Sequence, residues 1–106
     1  MAQIKWTEPA LNDIDEIAGY IALDKPAAAK KLVSDIFNSV KRLKKFPESG
    51  RRPPELPDTG YRELVIGPCR VFYRCKGKQI FILYVMRSER ELRKFLLEDR
   101  ANDQDR

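Results

Sequence analysis

The sequence contains no histidine, and its 106 residues include only two cysteines, two methionines and one tryptophan. Without histidine the commonest general acid–base side chain is missing, and a zinc site would have at most two soft ligands. No metal and no cofactor are therefore expected. The two thiols, Cys69 and Cys75, fall on or beside one strand pattern. Six strand residues set two Cα atoms roughly 20 Å apart, against the about 4.4–6.8 Å that a disulfide spans, so an internal bridge is not expected. Long apolar runs are lacking too. The longest, residues 80–86, has strand length and falls far short of a membrane span. The opening residues, MAQIKW, lack the apolar core of a signal peptide. Unpaired thiols with no export signal point to the cytoplasm. Also absent are a Ser–His–Asp set, a paired-carboxylate signature, a Gly-rich phosphate loop and an EF-hand loop.

What is present suits one small domain, expected over residues 1–98, with residues 99–106 as a frayed tail. Apolar residues at 42% and aromatics at 9% are enough for a packed interior. The net charge of +5, from 21 Lys and Arg against 16 Asp and Glu, suits a polyanionic partner: nucleic acid, the ribosome, an acidic protein or an anionic membrane. No membrane partner is expected.

Gln3 to Trp6 reads as a strand with Ile4 and Trp6 on one face. Thr7 then caps a helix that carries Glu8 and Pro9 in its first turn and Leu11, Ile14, Ile17, Ala18 and Ile21 as an apolar stripe. Asp24 reads as the next cap, ahead of Pro26. A second helix runs to about Phe46, with Ala29, Leu32, Val33, Ile36, Val40 and Leu43 inward. The short link between them predicts an antiparallel helical hairpin. Residues 47–60 hold four prolines and two glycines and form a stiff loop.

Three strands follow, over residues 61–66, 70–75 and 79–86, the last apolar on both faces and so central. Ser88 is placed to cap a short helix with Leu92, Phe95 and Leu96 as its apolar side. The fold class is α+β: an N-terminal strand and helical hairpin packed on a small antiparallel sheet, with a short C-terminal helix. The second face of that sheet is expected to be open to a ligand.

Alternation places Arg70 and Arg74 on one strand face. Arg62 joins them if the register allows, and Arg87 and Arg90 arrive at the end of the central strand. Such a cluster would hold phosphate through planar forks and offset charge developing in phosphoryl transfer. The plain alternative is solvated arginines on an outer surface. The lysines of the second helix, Lys30, Lys31, Lys41, Lys44 and Lys45 with Arg42, read as a solvated face, and Trp6 and Tyr73 as core aromatics.

Five segments carry a resemblance that goes further. Trp6-Thr7-Glu8-Pro9-Ala10-Leu11-Asn12-Asp13-Ile14 looks like the start of the first helix in the RelE/ParE toxin superfamily. Tyr20-Ile21-Ala22 with Pro26-Ala27-Ala28-Ala29 is similar to its helix junction, and Phe46-Pro47-Glu48-Ser49-Gly50-Arg51 to the end of its second helix. Tyr61-Arg62-Glu63-Leu64-Val65 and Arg70-Val71-Phe72-Tyr73-Arg74 resemble two of its strands. The resemblance implies the toxin half of a type II toxin–antitoxin pair. Its partner would be an antitoxin with an acidic segment that folds on binding, and the complex would contact operator DNA through that antitoxin.

The resemblance also implies alternative targets. The helical hairpin leans to the ParE branch, whose members poison DNA gyrase without bond chemistry. The alternative is the RelE branch, which cleaves mRNA in the ribosomal A site. On that alternative Arg62, Arg70, Arg87 and Arg90 are the catalytic candidates. Leu64 stands where a second lysine is expected, and Phe95 or Lys94 near the place of a tyrosine. A third reading is a degenerate toxin that serves only in antitoxin binding and repression. The resemblance does not assign antitoxin-binding residues.

Overall fold

The computed structural model describes residues 1–104; the last two residues of the expected tail, 105–106, lie outside the described part. Strand β1 (Gln3–Trp6) leads into helix α1 (Glu8–Ala22), and the chain turns back as α2 (Pro26–Lys41), extended by one 3-10 turn over Arg42–Lys44. After the proline-rich loop come β2 (Tyr61–Ile66), β3 (Cys69–Lys76) and β4 (Gln79–Arg87), then α3 (Lys94–Asp103).

Thr7 stays extended and begins α1. Its Oγ1 accepts a hydrogen bond from the Ala10 N–H at 3.4 Å and donates to the Ile82 carbonyl at 2.7 Å. The cap therefore also ties the helix to the sheet. The inward stripe of α1 includes Ala10, Ile14, Ile17 and Ile21, while Leu11, expected inside, is 41% exposed. Asp24 does not cap α2. Pro26 occupies the first helical position, which leaves Lys25 at the cap, with no side-chain bond to the helix. The second helix ends five residues sooner than expected, at Lys41, and its 3-10 turn buries Leu43 while Phe46 stays exposed.

The sheet order is β1–β4–β3–β2, with β1 parallel to β4 and the other pairs antiparallel. The sheet is thus mixed, and β4 has a partner on each edge, as its two apolar faces require. The hairpin covers one face, where Ile36, Val40 and Leu43 pack with Val71, Tyr73, Ile80 and Ile82. Trp6 is half-buried and lies 4.7 Å from the Phe37 ring.

The second face is not open. Tyr61, Phe72, Leu83, Tyr84 and Met86 line it and pack with Leu92, Leu97 and Ala101, with Leu56 of the loop beside them. This much apolar surface is removed from water by the chain's own end. Helix α3 starts at Lys94, not at Ser88, and buries Leu97 and Ala101 one turn apart. Phe95, expected inside, is 68% exposed. Residues 99–103, expected to fray, are helical and held by packing of Ala101 and by Arg100.

A bulge in β4 shapes this face. Phe72 pairs with Tyr84 but Tyr73 with Ile82, so Leu83 is the extra residue. Leu83 and Tyr84 both join the cluster under α3.

Candidate functional site

The strand register decides where the candidate arginines go. Arg70 stands opposite Val65, and Arg74 opposite Tyr61, on the face that α3 covers. Arg62 stands opposite Tyr73, which belongs to the hairpin side. Arg87 is paired with buried Cys69, also on the hairpin side, and its guanidinium lies 6.0 Å from the Tyr20 ring. The expected cluster is therefore divided between the two faces of the sheet.

Arg70 is engaged on every arm. Its Nε donates to Glu63 Oε1 at 2.6 Å, and its two terminal nitrogens each donate to Glu55 at 2.7 Å. Nη2 also reaches Glu63 Oε2 at 3.0 Å. Glu63 is buried, and Arg51 approaches it from the strand edge, with Nε 3.2 Å from Oε2 and two backbone hydrogen bonds of 3.0 and 2.8 Å. The hydrogen bonds from Arg70 hold the Glu55 carboxyl at about 2, well below its ordinary 4.5. The same hydrogen bonds, with those to Glu63, raise Arg70 further above its ordinary range. The guanidinium also lies 4.8 Å from the Phe72 ring centre. This is a closed ion network that staples the proline-rich loop to the sheet.

Arg62 serves the same loop from the other face. Its Nη1 donates to the carbonyls of Gly50 at 2.9 Å and Glu48 at 3.2 Å. Next to it, the buried Tyr73 hydroxyl donates to the Pro47 carbonyl at 2.8 Å and accepts from the Gly50 N–H at 2.9 Å. Burial pushes this phenol up from its ordinary value. Glycine is required at position 50, because a Cβ there would stand 2.5 Å from the Tyr73 hydroxyl and 2.8 Å from the Glu63 carbonyl.

Arg87 Nε lies 2.7 Å from Glu89 Oε1, a charge contact off the hydrogen-bond direction. Arg90 borders a shallow hollow of about 390 Å³ with Glu91, Leu92 and Arg93. A second hollow, of about 330 Å³, lies over Arg51, Pro54, Glu55, Val65, Arg70 and Ser88. Neither hollow brings Arg62, Arg70, Arg87 and Arg90 together. Cys69 is buried and Cys75 exposed, and burial raises both thiols, so neither is an activated thiolate. Among the described residues no group of three or more Cys, Asp or Glu could hold a metal ion. No helix among them is long and apolar enough to cross a membrane.

Two partnerships were missed by reasoning from the sequence. The first, Glu63 with Arg70, had a signal. In-register pairing of two short strands puts residues 63 and 70 diagonally across the same face. The second, Asp13 with Arg100, had none, since nothing local relates the first helix to the last.

Comparison with known proteins agrees with this geometry. Residues 4–92 match the family described as ParE toxin of type II toxin-antitoxin system, parDE. The chain belongs to the ParE toxin family. This ParE-family toxin is 38% identical over 91 residues to a putative toxin, Y4kP, of Sinorhizobium fredii, covering 84% of this chain and 91% of that protein. It is 37% identical over 68 residues to Toxin RelE2 of Caulobacter vibrioides, covering 64% of this chain and 73% of that one. Its fold is similar to a chain of the chromosomal ParDE system from P. aeruginosa, with a TM-score of 0.72 and 36% identity over 84% of this chain and 98% of that chain. Membership implies an antitoxin partner. The matched residues end before α3, so the helix that closes the second sheet face lies outside the family match.

Proposed function

We propose that this toxin arrests growth by ParE-like inhibition of DNA gyrase, binding the enzyme and trapping its cleaved-DNA state without making or breaking a bond itself. The observation that carries this reading is the engagement of Arg70 by Glu55 and Glu63. On the nuclease alternative, Arg70 would have to exchange two carboxylates for one phosphate. Arg62 stands on the opposite face and is spent on loop carbonyls. Phe95 offers no hydroxyl, and the Tyr73 hydroxyl is committed to Pro47 and Gly50. A recognition mechanism needs none of these groups free.

In this reading the toxin acts in the cytoplasm and is held inactive by its antitoxin. The antitoxin's acidic segment folds on the +5 surface, and the complex represses its operator through the antitoxin. Purified toxin added to gyrase and relaxed plasmid is expected to block supercoiling and accumulate cleaved DNA. Normal supercoiling at excess toxin contradicts the proposal.

A further inference from the structure

Three segments distant in sequence meet at one end of the molecule. The Ala2 N–H donates to the Lys44 carbonyl at 3.3 Å, and the Gln3 N–H donates to the Lys78 carbonyl at 2.7 Å. The start of β1 thereby joins the 3-10 turn after α2 to the turn between β3 and β4. Lys41, Arg42, Lys44, Lys45, Lys76 and Lys78 are all exposed there. Residues 1–6, 41–47 and 75–79 contain no acidic residue; Glu48, next in sequence, lies close enough to Cys75 to act on its thiol and borders the patch. Taken alone the lysines of α2 look like a solvated outer face; the fold adds the turn lysines to the same end. Gathering like charges in this way destabilises the fold by repulsion and creates a positive field over one surface.

We infer that this end docks on the sugar–phosphate backbone of duplex DNA, independently of sequence. Five of the six cations are lysines, point charges on flexible stems that suit scattered phosphates better than planar, two-pronged recognition. A single strand would call for a groove with several aromatic platforms. Here Phe46 is the one exposed aromatic in these segments, and neither surface hollow includes any of the six cations. An acidic polypeptide would call for a central apolar pocket between the charges, whereas the large apolar side chains exposed in these segments are Met1 and Phe46 alone. The inference does not depend on gyrase being the target.

The test is fluorescence anisotropy of the full-length chain with a labelled, arbitrary duplex of about two helical turns, read across a salt series. The variant Lys44→Glu/Lys45→Glu/Lys78→Glu is compared with Lys25→Glu/Lys30→Glu/Lys31→Glu. The second carries the same charge change near the other end of α2, about 24 Å away by helix length. The first is expected to weaken binding by about tenfold or more and to lower the salt slope by about two to three. The second should stay within about threefold. Equal losses in the two variants, or loss in neither, overturn the inference. So does equal affinity for the corresponding single strand, or a variant that loses poly-glutamate binding while keeping the duplex. Lys44→Gln/Lys45→Gln/Lys78→Gln, checked by thermal unfolding, gives the same reading should the glutamate variant fail to fold.

Discussion

Asp13 and Arg100, 87 residues apart, form an ion pair at 2.6 Å that fastens the last helix to the first. The pair also completes the backbone of β4 beyond the reach of β1. Asp13 Oδ2 accepts from the Val85 N–H at 3.0 Å, and Arg100 Nη1 donates to the carbonyl of the bulge residue Leu83 at 3.0 Å. Arg100 lies 4.5 Å from the Tyr84 ring centre as well. Arg100→Ala is expected to lower stability by about 1.5–3 kcal/mol, the range for hydrogen bonds to charged groups. Urea unfolding measures it. An unmoved midpoint would mean that α3 is not docked in solution.

Arg70 should behave as a structural residue. Arg70→Ala leaves buried Glu63 with Arg51 as its remaining cation, at an expected loss of about 3–5 kcal/mol. That is a large part of the about 5–15 kcal/mol that holds a domain folded. Circular dichroism of the variant should show partial unfolding, and replacing both partners, Arg70→Met with Glu63→Leu, should recover much of the stability. A fully folded but inactive Arg70→Ala variant would instead point to chemistry at this residue.

Acid should loosen the loop. The Glu55 carboxyl titrates near 2 in the folded chain against its ordinary 4.5, so on acidification the unfolded chain takes up the proton first. Its contribution is complete above pH 4.5 and is lost as the pH falls towards 2. With its side chain 32% exposed, added salt should weaken the effect. Glu55→Gln is expected to flatten the pH dependence of unfolding over that window. An unchanged profile would show that Glu55 and Arg70 are not paired in solution.

The Tyr73 hydroxyl can be tested with one oxygen removed. Tyr73→Phe leaves the buried Gly50 N–H without its acceptor, at an expected loss of about 1–3 kcal/mol. Hydrogen exchange at the Gly50 amide should quicken more than at the sheet amides. Gly50→Ala should be disruptive as well, because its Cβ would meet backbone at Glu63 as well as the Tyr73 ring. A stable, fully protected Tyr73→Phe variant would contradict this account of the loop.

Local signals made most of the elements legible. Thr7 capped α1 as expected because its side chain lies one turn from the amide it serves, and the 3.6-residue spacing of Leu32, Ile36, Val40 and Leu43 placed α2 against the sheet. What failed was set by long-range packing. The apolar pattern after Met86 suggests a helix capped by Ser88, whereas the helix is positioned by Leu97 and Ala101, which join the buried cluster of Phe72 and Leu83. The aligned arginines were legible as residues on strands. Their division between two faces depended on register, and their engagement by Glu55 and by loop carbonyls depended on where a proline-rich segment crosses the sheet.

The most direct test of the account is induction of this chain alone in bacteria, scoring DNA breaks and new mRNA 5′ ends in the same cells. The account predicts double-strand breaks and filamentation with mRNA left intact. Codon-phased mRNA cleavage without DNA damage would contradict it, and would mean that the paired arginines of the sheet rearrange to hold a phosphate.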